Sequence, residues 1–539
     1  GFTDVASSAS ANSSRTWNYL VENTLSFNKT FGSHDIIGVL GQSYQDTQGR
    51  SMRSAKTDLI KSAGGLYLQN VSGGITLSDA TGSSYQARLI SYFGRVNYDF
   101  ADRYLLQATV RRDGTSRFGP GYKWGTFPSV SAGWQISNEP FYNINWMNTL
   151  KLRANYGTLG SQNVGNYDYQ SLINSYTGYA YNGGLQLTPG QAVTAIANAG
   201  IAWEKRETIN IGLDANFLDN RLQTSIEYYI SKSKDVLYAQ SILKSVGSTS
   251  NPIVNSASLE NKGVEVTATW RDNINRDWSY SVGVNLSHNQ NTLTGLGYGV
   301  DSYDAQTTLS KVGEPIGLFY LVKTDGLYQS DEEAKAHGVI SNATAGDVKY
   351  VDFDGSKSIN NGDRQLLTDK SPWPKLEGSL NIMVNYKDWS LQLFGFGQFF
   401  KWVYNGSRLT TDALSGQSNI RRDYFNNMWS TSNAHNDVWY PRTGWNYTFN
   451  DISYSDRWLE RGDFFKISSL SLSYNYRPKG VLSTIIRGAK ISVTAQNFLC
   501  LTGFSGYDPD FNAGMFTPGN TGNNNGSPRS LVFGVNLNF

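Results

Sequence analysis

Residues 352–363 read Asp-Phe-Asp-Gly-Ser-Lys-Ser-Ile-Asn-Asn-Gly-Asp. Oxygen donors at Asp352, Asp354, Ser356 and Ser358, with Asp363 closing, follow the odd-position spacing by which EF-hand-type loops wrap a calcium ion. Ile359 fills the hydrophobic eighth position. The cofactor this spacing points to is a structural calcium. Three departures support a competing reading, a solvated Asp/Gly/Asn turn. Ser356 stands where an acid is expected, Lys357 replaces the turn glycine, and Asp363 is shorter than the usual closing Glu.

A second group is aromatic. Trp429, Trp439, Tyr440, Trp445 and Tyr447 crowd the stretch 402–462. Such rings stack on sugar faces or apolar peptide side chains, or dock a partner. The alternative is that they pack a long connection against its neighbours, because an unsupported loop of that length is disordered. A third group, Arg95, Arg111, Arg153, Glu227 and Glu265, falls on the polar side of alternating stretches. Those charges either line a passage or grip another domain. Enzyme chemistry has little foothold: there is no nucleophile elbow, no His-rich zinc motif and no P-loop, and Glu332–Glu333 reads as part of a short surface helix.

The elements that must position these groups are strands. Of 539 residues, 33 are Tyr, 14 are Trp and 54 are Gly, and long Ala/Glu/Lys/Leu tracts are absent, which is a β-rich composition. The 46 Lys+Arg against 44 Asp+Glu leave +2, so a nucleic-acid groove has no support. Cys500 is the single cysteine, which excludes an intrachain disulfide. Apolar residues alternate with polar ones again and again: Leu213, Ala215 and Phe217 against Asp214 and Asn216, or Val282, Val284 and Leu286 against Ser281, Asn285 and Ser287. Fifteen such stretches can be counted. Many run near the ~9–11 residues that a tilted strand needs to cross a bilayer core.

Short connections (30–33, 100–102, 138–148, 218–220, 272–276, 387–388, 477–488) interleave with long ones (49–85, 114–126, 160–204, 236–257, 291–375, 402–462, 501–529). That segregation predicts an all-β, antiparallel transmembrane β-barrel, with short turns on one rim and large insertions at 291–375 and 402–462 on the other. Lipid offers no hydrogen-bond partners, so spanning strands must pair along their whole length. Tyr and Trp near strand ends, among them Tyr104, Trp278 and Trp389, are expected to form girdles. The last strand ends in Leu531, Phe533, Val535, Leu537 and Phe539 on one face. Two other readings stay open: a soluble or surface-attached all-β carbohydrate-binding or hydrolytic protein, and a passive porin-like barrel.

Several stretches resemble the C-terminal half of the SusC/RagA-type TonB-dependent transporters of Bacteroidetes outer membranes. They include RYLLQATVRRDGTSRFGPGYKWGTFPSVSAGWQISNEPF (103–141), LRANYGTLGSQNVGNY (152–167), LENKGVEVTATW (259–270), GEPIGLFYLVKTDGLYQSDEE (313–333), GDFFKISSLSLSYNY (462–476) and GYDPD (506–510). These stand in family order across nearly the whole chain. The resemblance implies a barrel of about 22 strands that imports bulky nutrients, glycan oligomers or peptides. It implies a SusD-like lid lipoprotein, energising by TonB-ExbB-ExbD, and pairs of transporter and lid that dimerise. Phe539 resembles the terminal signal read by barrel-assembly machinery. Residues 1–539 are then expected to be the C-terminal portion of the barrel. The plug domain would lie outside this chain, along with about seven strands. Residues 530–539 are expected to pair with 489–497 on one side and with a strand outside this chain on the other.

Overall fold

The computed structural model describes residues 7–539 except 63, 69, 172, 182–185, 194–195, 241, 244, 246–250, 413–419, 444–449, 451, 482–484, 512 and 523–525. In chain order the first strands are β1 (Ser8–Phe31), β2 (His34–Leu59), β3 (Gly74–Phe100), β4 (Tyr104–Thr115), β5 (Trp124–Gln135) and β6 (Met147–Ser161). A hairpin of β7 (Ile173–Tyr181) and β8 (Gln186–Val193) precedes β9 (Glu204–Phe217), β10 (Leu222–Ala239), β11 (Ile253–Asn273) and β12 (Trp278–Gly295). Short strands follow in the first large insertion: β13 (Ser302–Asp304), β14 (Thr308–Lys311), β15 (Leu318–Val322), β16 (Thr324–Leu327), β17 (Val348–Tyr350) and β18 (Arg364–Leu366), with helix α1 (Asp331–His337). Then come β19 (Leu376–Tyr386), β20 (Trp389–Phe399), β21 (Trp402–Tyr404), α2 (Gly406–Asp412), α3 (Arg422–Asn427) and β22 (Leu459–Arg461). The chain closes with β23 (Phe464–Tyr476), β24 (Gly488–Thr502) and β25 (Ser530–Asn538).

Fifteen of these form one sheet, in the order β1-β2-β3-β4-β5-β6-β9-β10-β11-β12-β19-β20-β23-β24-β25. Every long strand therefore pairs with its sequence neighbours, as a meander built from hairpins must. The predicted pairing of the last strand is observed, from Ala489↔Leu537 to Gln496↔Ser530. Among the described residues β25 has no second strand partner.

The chain divides into two compact units, one comprising 1–134, 155–209 and 233–257 and the other the remainder. In the second unit the register explains the alternation read from sequence. Trp270 lies opposite Val282, Val282 opposite Ile382, and Ile382 opposite Leu393. The row continues through Leu470, Ala495 and Leu531. One apolar file thus crosses seven strands on a single face. The opposite face carries Glu265, Ser287, Glu377 and Gln398 in a row. At the short-turn end, Trp278, Tyr386, Trp389 and Tyr474 stand side by side, with ring centroids 4.4 Å apart for Trp278–Tyr386 and 4.8 Å for Trp389–Tyr474. This is an aromatic girdle. The first unit has its counterpart in Phe31, His34, Phe100, Tyr104 and Trp134.

One expectation needs correcting. The stretch 49–85 is largely strand, not connection, because β2 runs to Leu59 and β3 starts at Gly74. Likewise 114–126 shrinks, since β4 ends at Thr115 and β5 opens at Trp124. Strands of 24, 26 and 27 residues, β1 to β3, exceed what a bilayer core demands. Their far ends, rich in Ser, Thr and Gly, have no lipid to face and so lose the apolar alternation.

Much of the packed core lies in the long connections. Phe319, Leu321, Leu367, Tyr404, Trp458 and Leu459 form one buried cluster, and Val322, Leu327, Val348 and Tyr350 form another. In the first unit, Phe118, Phe127, Ile201 and Trp203 form a third. α1 is the short surface helix expected around Glu332–Glu333. Ser330 caps it by accepting from the Glu333 amide, and Gly338 ends it at φ 64°, the left-handed value a glycine tolerates.

Candidate functional site

Three groups of chemistry-bearing side chains stand on this frame. The first is on the polar face of β6, β9 and β10. Arg153 Nε donates to Asp214 Oδ2 at 3.0 Å, and Nη2 donates to Ser225 Oγ at 3.1 Å and to a Glu227 oxygen. Asn210 Nδ2 donates to the other Glu227 oxygen at 2.7 Å, and Ser225 Oγ donates to Asp214 Oδ1 at 2.7 Å. Arg153 and Glu227, read from the sequence as polar-face charges that either line a passage or grip another domain, are one bonded cluster. Its members hold one another in place through these bonds. Arg111 is also tied down, with Nε on Asp113 at 2.8 Å and Nη2 on Ser91 Oγ at 2.8 Å. Arg95 lies opposite Thr109 and is exposed. Glu265 is exposed beside Ser287 on the polar row.

The second group lies in the connection between β20 and β23. Trp429 packs on the Val322–Leu327–Val348–Tyr350 cluster and over Gly346, where any side chain would collide with its ring. Trp439 lies under the Arg408 guanidinium at 3.8 Å. Tyr440 meets Tyr424 edge-on at 5.8 Å. All three are engaged in packing the connection. Trp445 and Tyr447 lie outside the described residues.

The third group is the aspartate loop. Carboxylate oxygens of Asp352, Asp354 and Asp363 lie within 4.8 Å of one another. Each already accepts from backbone amides. Asp363 takes Phe353 and Asn360 at 2.8 and 2.7 Å, Asp352 takes Lys357 at 2.8 Å, and Asp354 takes Ser356 at 2.8 Å. Hydrogen bonds from Ser356 hold the Asp354 carboxyl below its usual range. Ser356 Oγ donates to the Ser358 carbonyl at 2.9 Å, which ties two of the predicted donor positions to each other.

Two groups escaped the sequence reading. Lys466, 4% exposed, donates to Asp508 Oδ2 at 2.9 Å and Asp510 Oδ2 at 3.0 Å, which pins the GYDPD segment onto β23. Beside it, buried Lys401 donates to Gln398 Oε1 at 2.6 Å and the Pro509 carbonyl at 3.1 Å. Burial pulls the Lys401 ammonium down to about 8, against the opposing pull of Asp510, Glu377, Asp463 and Asp508. The other group is Asp412, fully buried between Arg408 at 2.7 Å and Arg421 at 3.1 Å. The repeated aspartates of GYDPD were a sequence signal for the first group, though nothing there names the lysines, and no motif marked the second.

A family model described as TonB dependent receptor-like, β-barrel, matches residues 1–421. The chain belongs to that family. These TonB-dependent receptor strands are those of an outer-membrane barrel, and no helix among the described residues is long and apolar enough to cross a membrane. The soluble reading of the composition is thereby set aside. The receptor chain is similar to TonB-dependent receptor P3 of Formosa agariphila, 30% identical over 511 residues, covering 92% of this chain and 49% of that relative. It is also similar to the TonB-dependent receptor SusC of Bacteroides thetaiotaomicron, 28% identical over 494 residues, covering 86% of this chain and 45% of that one. The chain spans about half the length of the curated relatives it matches. Among solved structures, the RagAB peptide transporter shares its fold, with a TM-score of 0.81 at 23% identity, over 98% of this chain and 56% of the other. The relatives matched are receptors and transporters.

Proposed function

We propose that this receptor barrel serves TonB-dependent import of bulky nutrients, glycan oligomers or peptides, across the outer membrane beneath a SusD-like lid lipoprotein. The observation that carries the reading is the two-faced sheet. An apolar row from Trp270 to Leu531 suits acyl chains, and the polar row on the other face suits a hydrated lumen. The relative named SusC and the structural neighbour titled as a peptide transporter support the same direction.

In this reading the bonded Arg153–Asp214–Glu227 cluster gives the lumen a fixed, hydrated wall against which a plug can seat and slide. The packed connections give a lid something firm to close upon. TonB-ExbB-ExbD would act through a plug, and two transporter–lid pairs would associate. No covalent step is asked of any residue here. A passive pore is the rival reading. Uptake that collapses when TonB is removed or the proton gradient is dissipated supports import, and uptake indifferent to both contradicts it.

A structural calcium at the aspartate loop is proposed separately, supported by the convergence of Asp352, Asp354 and Asp363. With the short Asp363 closing and only three carboxylates converging, the ligand set is thin, so the dissociation constant is expected at about 10⁻³ M. Adding calcium after chelation should raise the unfolding temperature of the native protein, and Asp354→Asn should abolish the rise. An unfolding temperature indifferent to calcium overturns the proposal.

A further inference from the structure

The long connections of the second unit meet around a cavity of about 740 Å³, a size that holds a small ligand. Its wall takes Asp304 and Gln306 from the stretch after β12, and Asn361 and Arg364 from the end of the aspartate loop. Tyr454 comes from the connection leading to β22, and Asn520 from the one leading to β25.

Separate contacts hold these groups in place. Arg364 Nη2 donates to Asp304 Oδ2 at 2.6 Å, Nη1 donates to the Gln306 carbonyl at 2.6 Å, and the guanidinium lies 4.5 Å over the Tyr320 ring. Asn361 opens a 3-10 turn locked by a capping box between Asn360 and Asp363. Asn520 donates to Thr307 Oγ1 at 3.3 Å. Tyr454 packs against two buried clusters at once. The wall is pre-organised, which lowers the entropy cost of binding.

We infer that this cavity is a subsite for a neutral oligosaccharide, an assignment of cargo class that rests on the import reading. The two charged residues of the wall, Asp304 and Arg364, are paired with each other, so the cavity offers no net charge to an anionic ligand. A peptide recognised regardless of sequence needs an open strand edge or alternating apolar pockets. The wall instead presents planar side-chain amides and a carboxylate, whose donors and acceptors match neighbouring hydroxyls. Tyr454 adds a fixed ring against which the C–H face of a sugar can lie.

The test uses the purified full-length protein in detergent. The probe is a pool of neutral oligosaccharides from partial hydrolysis of mixed glucans, xylans and mannans, and a tryptic peptide pool is run beside it. Binding is read by saturation-transfer NMR. The sugar pool should bind the wild type, and Asn361→Ala/Asn520→Ala should weaken it roughly tenfold or more, the loss expected for two hydrogen bonds of ordinary net strength. Peptide signals should not respond to the substitutions. Heat-modifiable gel migration checks that the variant is folded, and Asn520→Ala alone should give an intermediate loss. No sugar binding by the wild type, undiminished binding by the folded variant, or loss of peptide contacts instead overturns the assignment. Binding in detergent needs neither TonB nor a gradient. Its failure beside energised uptake therefore overturns the subsite alone, and its success beside gradient-independent uptake overturns the import reading alone.

Discussion

Lys466→Met is expected to destabilise the protein by about 3–5 kcal/mol, because it leaves two carboxylates facing each other without their cation. Lys466 is 4% exposed and Asp508 is 8% exposed, so water cannot take the lysine's place on Asp508, whereas Asp510, 39% exposed, keeps access to water. The effect should appear as early unfolding and as protease cleavage in the connection between β24 and β25, which Lys466 anchors through Asp508 and Asp510. Adding Asp508→Asn to Lys466→Met should recover part of the loss, since it removes one of the stranded charges. Lys401→Met should behave differently, costing about 1 kcal/mol or less at pH 7. Lys401 bonds neutral partners, the Gln398 amide and the Pro509 carbonyl, so its removal strands no charge. The pH dependence follows from the same burial. Its folded pKa of about 8 lies below its ordinary 10.5, so between those values the unfolded chain holds more protons and stability rises with pH. Unfolding temperatures measured from pH 7 to 10.5 should show that rise in the wild type and a flatter profile in Lys401→Met.

Trp458→Ala should cost about 3–5 kcal/mol, the usual penalty for emptying an aromatic site in a tight core. Trp458 is fully buried among Phe319, Leu321, Leu367, Tyr404 and Leu459, and its Nε1 donates to the Ile452 carbonyl at 2.9 Å. The Arg457 guanidinium covers the ring at 4.4 Å. This core lies in the connections, so the loss should be local. Hydrogen exchange should accelerate in β15, β21 and β22, while the strands of the fifteen-stranded sheet keep their protection and the band keeps its heat-modifiable migration. Uniform loss across the sheet would show that the connections and the sheet are one cooperative unit.

The strands were legible because lipid imposes a one-dimensional code. Where Leu391, Leu393, Leu470 and Leu472 must meet acyl chains, each neighbour must turn the other way, and the sequence shows it. The code stops where lipid stops. The outer reaches of β2 and β3, such as Gly49 to Ser54 and Ser78 to Ser84, carry no regular apolar alternation, so they read as loop. Short elements such as β15 and β21 were unreadable because their hydrophobic residues answer to partners far off in sequence. Phe319 meets Trp458 only after the chain has crossed and returned through β19 and β20. Lys466 reads as one more polar residue in a strand until Asp508 is brought back to it. Acidic spacing correctly gathered Asp352, Asp354 and Asp363, but it could not say that Ser356 would turn toward Ser358.

The central claim is energised import, and uptake in living cells tests it most directly. Cells carrying or lacking the full-length protein would be given a labelled neutral oligosaccharide pool or a labelled peptide pool, and accumulation would be followed before and after the proton gradient is dissipated. The import reading predicts accumulation that requires the protein and falls to the level of the deletion strain within the measurement once the gradient is gone. Accumulation that needs the protein but continues unchanged without the gradient would contradict it and make the barrel a passive pore.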